Sequence, residues 1–213
     1  MRTIATITNE GFTCKITEDD DLRVSFTADM DIDADGANGQ HGAKAAYRVD
    51  NKGSEALANG GMGLRNGKAV FTTSWGPDIA VSDAEGDPLV IDGVIITKTS
   101  YRFPGVPSRS PAAYVDSQTV PYIVVPPAII RGVRGIVMGC KARVTYRGKS
   151  VDAVVADAGP RTKIGEASIA AAEAVDIPSS PRTGGLDGAQ VLYELWPGVP
   201  AVVNGLTYAL QRA

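Results

Sequence analysis

Histidine is nearly missing from this chain: His41 is the sole one in 213 residues. A histidine-rich metal site or a Ser-His-Asp triad therefore has little material to draw on, and His41 itself sits in a glycine-rich stretch that assigns it no role. Cysteine is almost as scarce. Cys14 and Cys140 are too few for a disulfide framework or a zinc quartet and form no CxxC motif, so they leave the redox compartment and their own pairing open. No long apolar run exists either. The longest, Val120–Ile130, is interrupted by Pro121, Pro126 and Pro127, which excludes a membrane helix. The opening residues MRTIATITNEGFTCKITEDDD lack the unbroken apolar region of a secretion signal. There is no GxGxxG or Walker loop for a nucleotide, and no cofactor is expected. Positive charge is not in excess: the formal net charge is −3 and the sequence pI about 5.2, which argues against a nucleic-acid partner.

What the chain does contain is apolar residues at 44%, enough to bury a core without staples, so a single compact domain over 1–213 acting as a monomer is expected. Twenty-four glycines and thirteen prolines beside few aromatics suit many short strands joined by turns. Strands are predicted at 3–8, 12–17, 22–27, 69–73, 89–98, 121–125, 135–138, 142–146, 151–156, 190–195 and 206–211. The alternation is clearest in Leu22, Val24 and Phe26. One helix is predicted over Glu166–Val175, rich in alanine and bracketed by Gly165 and Pro178, and a weaker one over 54–59. Arg102–Pro111 reads as a surface loop and Glu18–Asp21 as a solvated turn. The fold class is mainly β, a barrel with one packed helix.

Two stretches carry chemistry. In VDAVVADAGPRTKIGEASIA (151–170) a short apolar run ends in Asp157, a Gly159-Pro160 turn follows, and Glu166 opens the predicted helix. Two carboxylates nine positions apart, one closing a strand and one opening a helix, can face each other over a small cleft, the minimum equipment for breaking a glycosidic bond. The plainer reading is local: Glu166 completing a helix cap while Asp157 bonds the turn amides. The second stretch is DMDIDADG, where Asp29, Asp31, Asp33 and Asp35 alternate with smaller or apolar residues. If the preceding strand continues, all four carboxylates project to one face. Such crowding is tolerable when cations or cationic ligands lie among them. Three readings follow: a calcium loop, weakened because Gly42 stands where the bidentate acid belongs; a solvated acidic loop; or a subsite for a positively charged substrate.

Together DMDIDADG, VPYIVVPP (120–127) and DAGPRTKIGEASIA resemble glycoside hydrolase family 75, the chitosanases known mainly from fungi, over roughly residues 21–193. The resemblance implies an essential Asp/Glu pair, which maps onto Asp157 and Glu166, endo-cleavage of β-1,4 glucosamine linkages with inversion, and an extracellular setting. The chain departs from the fungal pattern at Ala34, usually Cys, and at Ala158-Gly159-Pro160, where Asn often follows the Asp. The Asp-x-Gly-Pro turn before Gly165-Glu166 is also similar, over about thirty residues, to double-psi β-barrel lytic enzymes. This favours a double-psi-like six-stranded barrel core with additional strands.

Within that reading, Asp157, ending an apolar strand, is expected to be the general acid, and Glu166, at a helix N-terminus, the general base. Chitosan carries ammonium groups that Asp29, Asp31, Asp33 and Asp35 could receive. Tyr122 could bond or stack on a sugar, with a half-buried strand tyrosine as the alternative, and Trp75 and Trp196 are possible platforms. Lys163 is expected either to pair with Glu166 or to decorate the turn, and Ser168 to cap the helix in preference to touching the substrate. No metal or membrane partner is expected. Two other functions fit the same residues: a peptidoglycan-cleaving lytic enzyme using Asp157, or a non-catalytic sugar-binding barrel.

Overall fold

The computed structural model describes residues 1–9 and 11–211. The polypeptide divides into two compact units, Met1–Asp33 with Thr119–Ala213, and Ala34–Gln118 between them in sequence. The chain is mainly β, 43% strand against 12% helix.

The first unit opens with β1 (Arg2–Asn9), β2 (Phe12–Glu18) and β3 (Val24–Asp33). The second unit holds two small hairpins, β4 (Met62–Arg65) with β5 (Lys68–Phe71) and β6 (Val90–Ile91) with β7 (Val94–Ile95). The short helix α1 (Gly76–Ile79) stands between the hairpins. Its small core gathers Val81, Ile96, Ala113 and Tyr114. A buried polar belt supports it, in which the Asn38 amide bonds the Thr97 backbone at both ends and Thr97 Oγ1 accepts from Gly36 N–H. Back in the first unit come β8 (Tyr122–Val125), α2 (Pro127–Gly132), β9 (Cys140–Tyr146), β10 (Lys149–Ala158), β11 (Glu166–Ser168), α3 (Ile169–Ala174), β12 (Leu186–Val203) and β13 (Leu206–Tyr208).

Six of these strands close a barrel in the order β3-β11-β8-β10-β9-β12, with β12 returning to β3; β1, β2 and β13 lie outside the ring. The pairs β8/β10 and β3/β11 are parallel and the other ring pairs antiparallel. Strand alternation fills the interior. Val24, Phe26, Ala28 and Met30 of β3 meet Ala142 and Val144 of β9, Val155 of β10 and Tyr193 of β12, all buried. Phe26 and Tyr193 stack with ring centroids 5.0 Å apart. Cys14 and Cys140 are both buried in this core as free thiols.

Most predicted strands form, with shifted ends. The stretch 89–98 is split by a turn in which Asp92 and Gly93 take positive φ. Residues 135–138 make only an isolated bridge, and 54–59 gives way to a 3-10 turn at Leu57–Gly60. The important correction is at Glu166. The predicted helix begins three residues late, at Ile169, because Glu166–Ser168 are hydrogen-bonded as a strand between β3 and β8. Backbone groups flanked by partners on both sides outweigh the helix preference of an alanine-rich sequence. Among the described residues no helix is long and apolar enough to cross a membrane.

Candidate active site

Strand register builds the site. In β11, Glu166 stands opposite Asp31 of β3 on one side and Val124 of β8 on the other. Val124 is in turn opposite Asp157 of β10. Asp31, Glu166, Val124 and Asp157 therefore form one row across four adjacent strands with their side chains on the same face, turned away from the barrel interior. Two interstrand spacings separate the backbones of Glu166 and Asp157, about 10 Å.

Asp157 joins this row through an irregularity. Val155 pairs with Ile123, but the next pairing is Asp157 with Val124, so Ala156 is an extra residue. Val155 and Ile123 both face the core. Without the bulge, Ala156 would stand opposite Val124 and Asp157 would point inward, because a one-residue slip exchanges the faces of a strand. Asp157 is 9% exposed, and its Oδ1 accepts from the amide of Ala158 at 2.7 Å.

Glu166 is gripped from both sides. Gly165 before it has φ +96°, and a Cβ there would collide with Asp29 Oδ1. Ser168 after it is fully buried and saturated: its hydroxyl donates to Val120 O at 2.9 Å and accepts from Tyr122 N at 2.9 Å and Ala171 N at 3.1 Å. The last contact caps α3, as the sequence anticipates. Gly159 approaches the row closely: a Cβ there would lie 3.6 Å from Glu166 Oε2 and 3.1 Å from Val124 Cγ1.

Part of Glu166 meets solvent, yet its carboxyl is enclosed by protein and by like charge. Burial, then the charges of Asp33, Asp157 and Asp31, push its pKa well above the ordinary glutamate value, with Lys163 opposing weakly. Carboxylate oxygens of Asp33 and Asp157 lie within 4.8 Å of each other. Glu166 is on a strand, not at a helix N-terminus, so no macrodipole favours its ionised form, and burial beside like charges raises its proton affinity.

The acidic run is only partly as anticipated. Asp29, Asp31 and Asp33 do share the non-core side of β3, whereas Asp35 lies beyond the strand, in the unit 34–118. A calcium loop does not form, because Asp31–Asp33 are strand. Asp29, Asp33 and Asp35 are buried at 4%, 7% and 8% exposure, leaving Asp31 as the half-exposed member. Asp29 is engaged below the row, where its backbone oxygen accepts from Tyr193 Oη at 2.8 Å. Burial and the nearby charges of Asp29, Asp31 and Glu166 raise that phenol's pKa. Tyr122 is a correction: it is fully buried and offers no ring face to a sugar. Trp75, in the second unit, is 43% exposed. Trp196 is occupied by two cations, Lys141 Nζ at 4.8 Å and Arg143 at 5.8 Å from its ring centre. Lys163 pairs with Asp31, Nζ to Oδ2 at 3.3 Å, and its charge also acts on Glu166. Sequence reasoning misses the Ala156 bulge and the Tyr193 phenol; VVAD carries no turn residue to betray an extra position, and Tyr193 alternates like any core strand residue.

Comparison with known proteins adds no identification: no family model matches the chain, and no curated protein matches it.

Proposed function

We propose that the chain is a glycoside hydrolase acting on a polymer of cationic amino sugars, chitosan being the polymer of that chemistry, with Glu166 as general acid and Asp157 as general base. The observation that carries the reading is the row itself: two carboxyls on one face, one spacer residue apart, with the proton affinity of Glu166 raised by burial and like charge. Glycoside hydrolysis needs this asymmetry of a proton donor and an ionised partner at the same pH.

In the proposed step, protonated Glu166 gives its proton to the glycosidic oxygen as the C–O bond breaks. Asp157, steadied by the Ala158 amide, takes a proton from a water whose oxygen bonds to the anomeric carbon. The acid ends ionised and the base protonated, and the pair resets as Asp157 releases its proton to solvent and Glu166 takes one up. A backbone separation of about 10 Å leaves room for a water between the groups, which supports inversion over a covalent intermediate; inverting pairs hold their carboxyls roughly 6.5–9.5 Å apart. Asp31, half-exposed beside Glu166, supplies the negative charge for an ammonium group on the sugar.

The test is release of reducing ends from chitosan, chitin and peptidoglycan, with the anomer of the first product followed by NMR. The expected outcome is cleavage of chitosan to products of inverted configuration, with Glu166→Gln and Asp157→Asn each lowering turnover roughly 10²–10⁴-fold. Cleavage of peptidoglycan alone would move the substrate to the bacterial wall. Full activity in both variants would sink the pair.

A further inference from the structure

The segment joining β10 to β11 brings Lys163 back beside the carboxylate row. Its Nζ lies 3.3 Å from Asp31 Oδ2, while the two side chains keep 47% and 43% of their surface in solvent. An ion pair so exposed is held by a small margin and is readily exchanged for another of the same charge. The charges of Asp33 and Asp31 from β3 and of Asp157 from β10 act on Glu166 of β11, and the charge of Lys163 opposes theirs there.

We infer that Lys163 is an internal stand-in for a substrate ammonium, neutralising Asp31 until an amino sugar's own ammonium displaces it, so that one cation exchanging for another sets the selectivity for deacetylated sugar. The inference rests on the hydrolase reading and goes beyond it by assigning selectivity to a residue outside the proposed acid/base pair. A glucosamine unit brings a primary ammonium of the same chemistry as Lys163 Nζ, so charge is conserved when it takes over Asp31. An N-acetylated unit brings no charge. It would leave Asp31 uncompensated if it displaced Lys163, and it is crowded if it does not.

Two variants separate the contributions: Lys163→Met keeps most of the stem without the charge, and Lys163→Arg keeps the charge. NMR of the full chain in mildly acidic, low-salt buffer follows binding of glucosamine trimer, with N-acetylglucosamine trimer as the neutral probe. Lys163→Met is expected to bind glucosamine trimer about two- to fivefold more tightly, the exchange factor of an exposed pair, with the acetylated trimer unchanged and Lys163→Arg like wild type. In the same variant the Glu166 carboxyl should titrate at higher pH than in wild type, because the opposing charge is gone. Unchanged or weaker binding of glucosamine trimer, or an unmoved Glu166 titration, overturns the inference. Binding is read apart from turnover, so tighter binding in Lys163→Met with no polymer cleaved by wild type leaves the exchange standing and removes the hydrolase. Cleavage with unaltered binding does the reverse.

Discussion

A carboxyl that prefers to keep its proton ties folding to pH in a definite direction. Burial and three neighbouring carboxylates hold Glu166 above the usual glutamate range, and unfolding returns it to about 4.3. Between those two values the native chain retains a proton that the unfolded chain has lost, so this group's contribution is complete below the lower value and drains away as pH rises towards the upper one. Glu166→Gln, permanently neutral, should therefore melt higher than wild type at about pH 7, with the difference closing at about pH 4; identical melting at both would mean that the carboxyl is not held protonated. The thiols respond in the opposite sense to reagents. Burial, reinforced by Asp29, pushes Cys14 up to about 11, and burial also raises Cys140. A thiol reagent should label neither residue in the native protein and both in denaturant. Dithiothreitol should leave the melting temperature unchanged.

Strands and their irregularities decide where these residues point. Ala156 is what keeps Asp157 on the outer face: were pairing to run regularly through it, Asp157 would fall opposite Val125 and place a charge in an apolar core. Ser168 binds three backbone groups through one hydroxyl. Ser168→Ala leaves the buried amides of Tyr122 and Ala171 without that acceptor, a cost of about 2–4 kcal/mol that should lower the melting temperature on the order of 10 °C. Much of this scale was open to sequence reading: alternation locates β3, β8, β9 and β10, and the apolar-to-acidic switch at Asp157 marks a strand end. Glu166–Ser168 was not, because three residues hold their strand conformation only through bonds to β3 and β8, which are distant in sequence. The Ala156 bulge was hidden for a related reason, since it exists only relative to the partner β8.

At the scale of the whole molecule, a net charge of −3 with Asp31 open to solvent should draw a polycation, and salt should screen that attraction. The KM for chitosan is expected to rise severalfold as ionic strength increases from about 0.01 to 0.15 M, where the screening length falls from about 30 to 8 Å. Asp31→Asn should raise KM at low salt and flatten that dependence while leaving kcat within about twofold, because an exposed charge contributes to capture more than to chemistry. An equal loss in kcat would place Asp31 in the proton transfers instead. The division at Asp33 and Thr119 gives this scale its other feature, a segment of 34–118 with its own small core between two strands of one barrel.

Sequence alone settled what kind of molecule this is: alternating short strands, abundant turn residues and few aromatics leave a β-rich fold, and the spacing of Asp157, Glu166 and the aspartates of β3 singles out the carboxyls worth watching. Local preference extends over only a few residues, so it could not say that Glu166 would have its proton affinity raised. Closure of the ring decided that, by setting Glu166 between strands remote in sequence, within the field of Asp31, Asp33 and Asp157, and by sealing Tyr122 and Asp29 away from solvent. Proton affinity follows from burial and neighbouring charge, and both are properties of the assembled barrel.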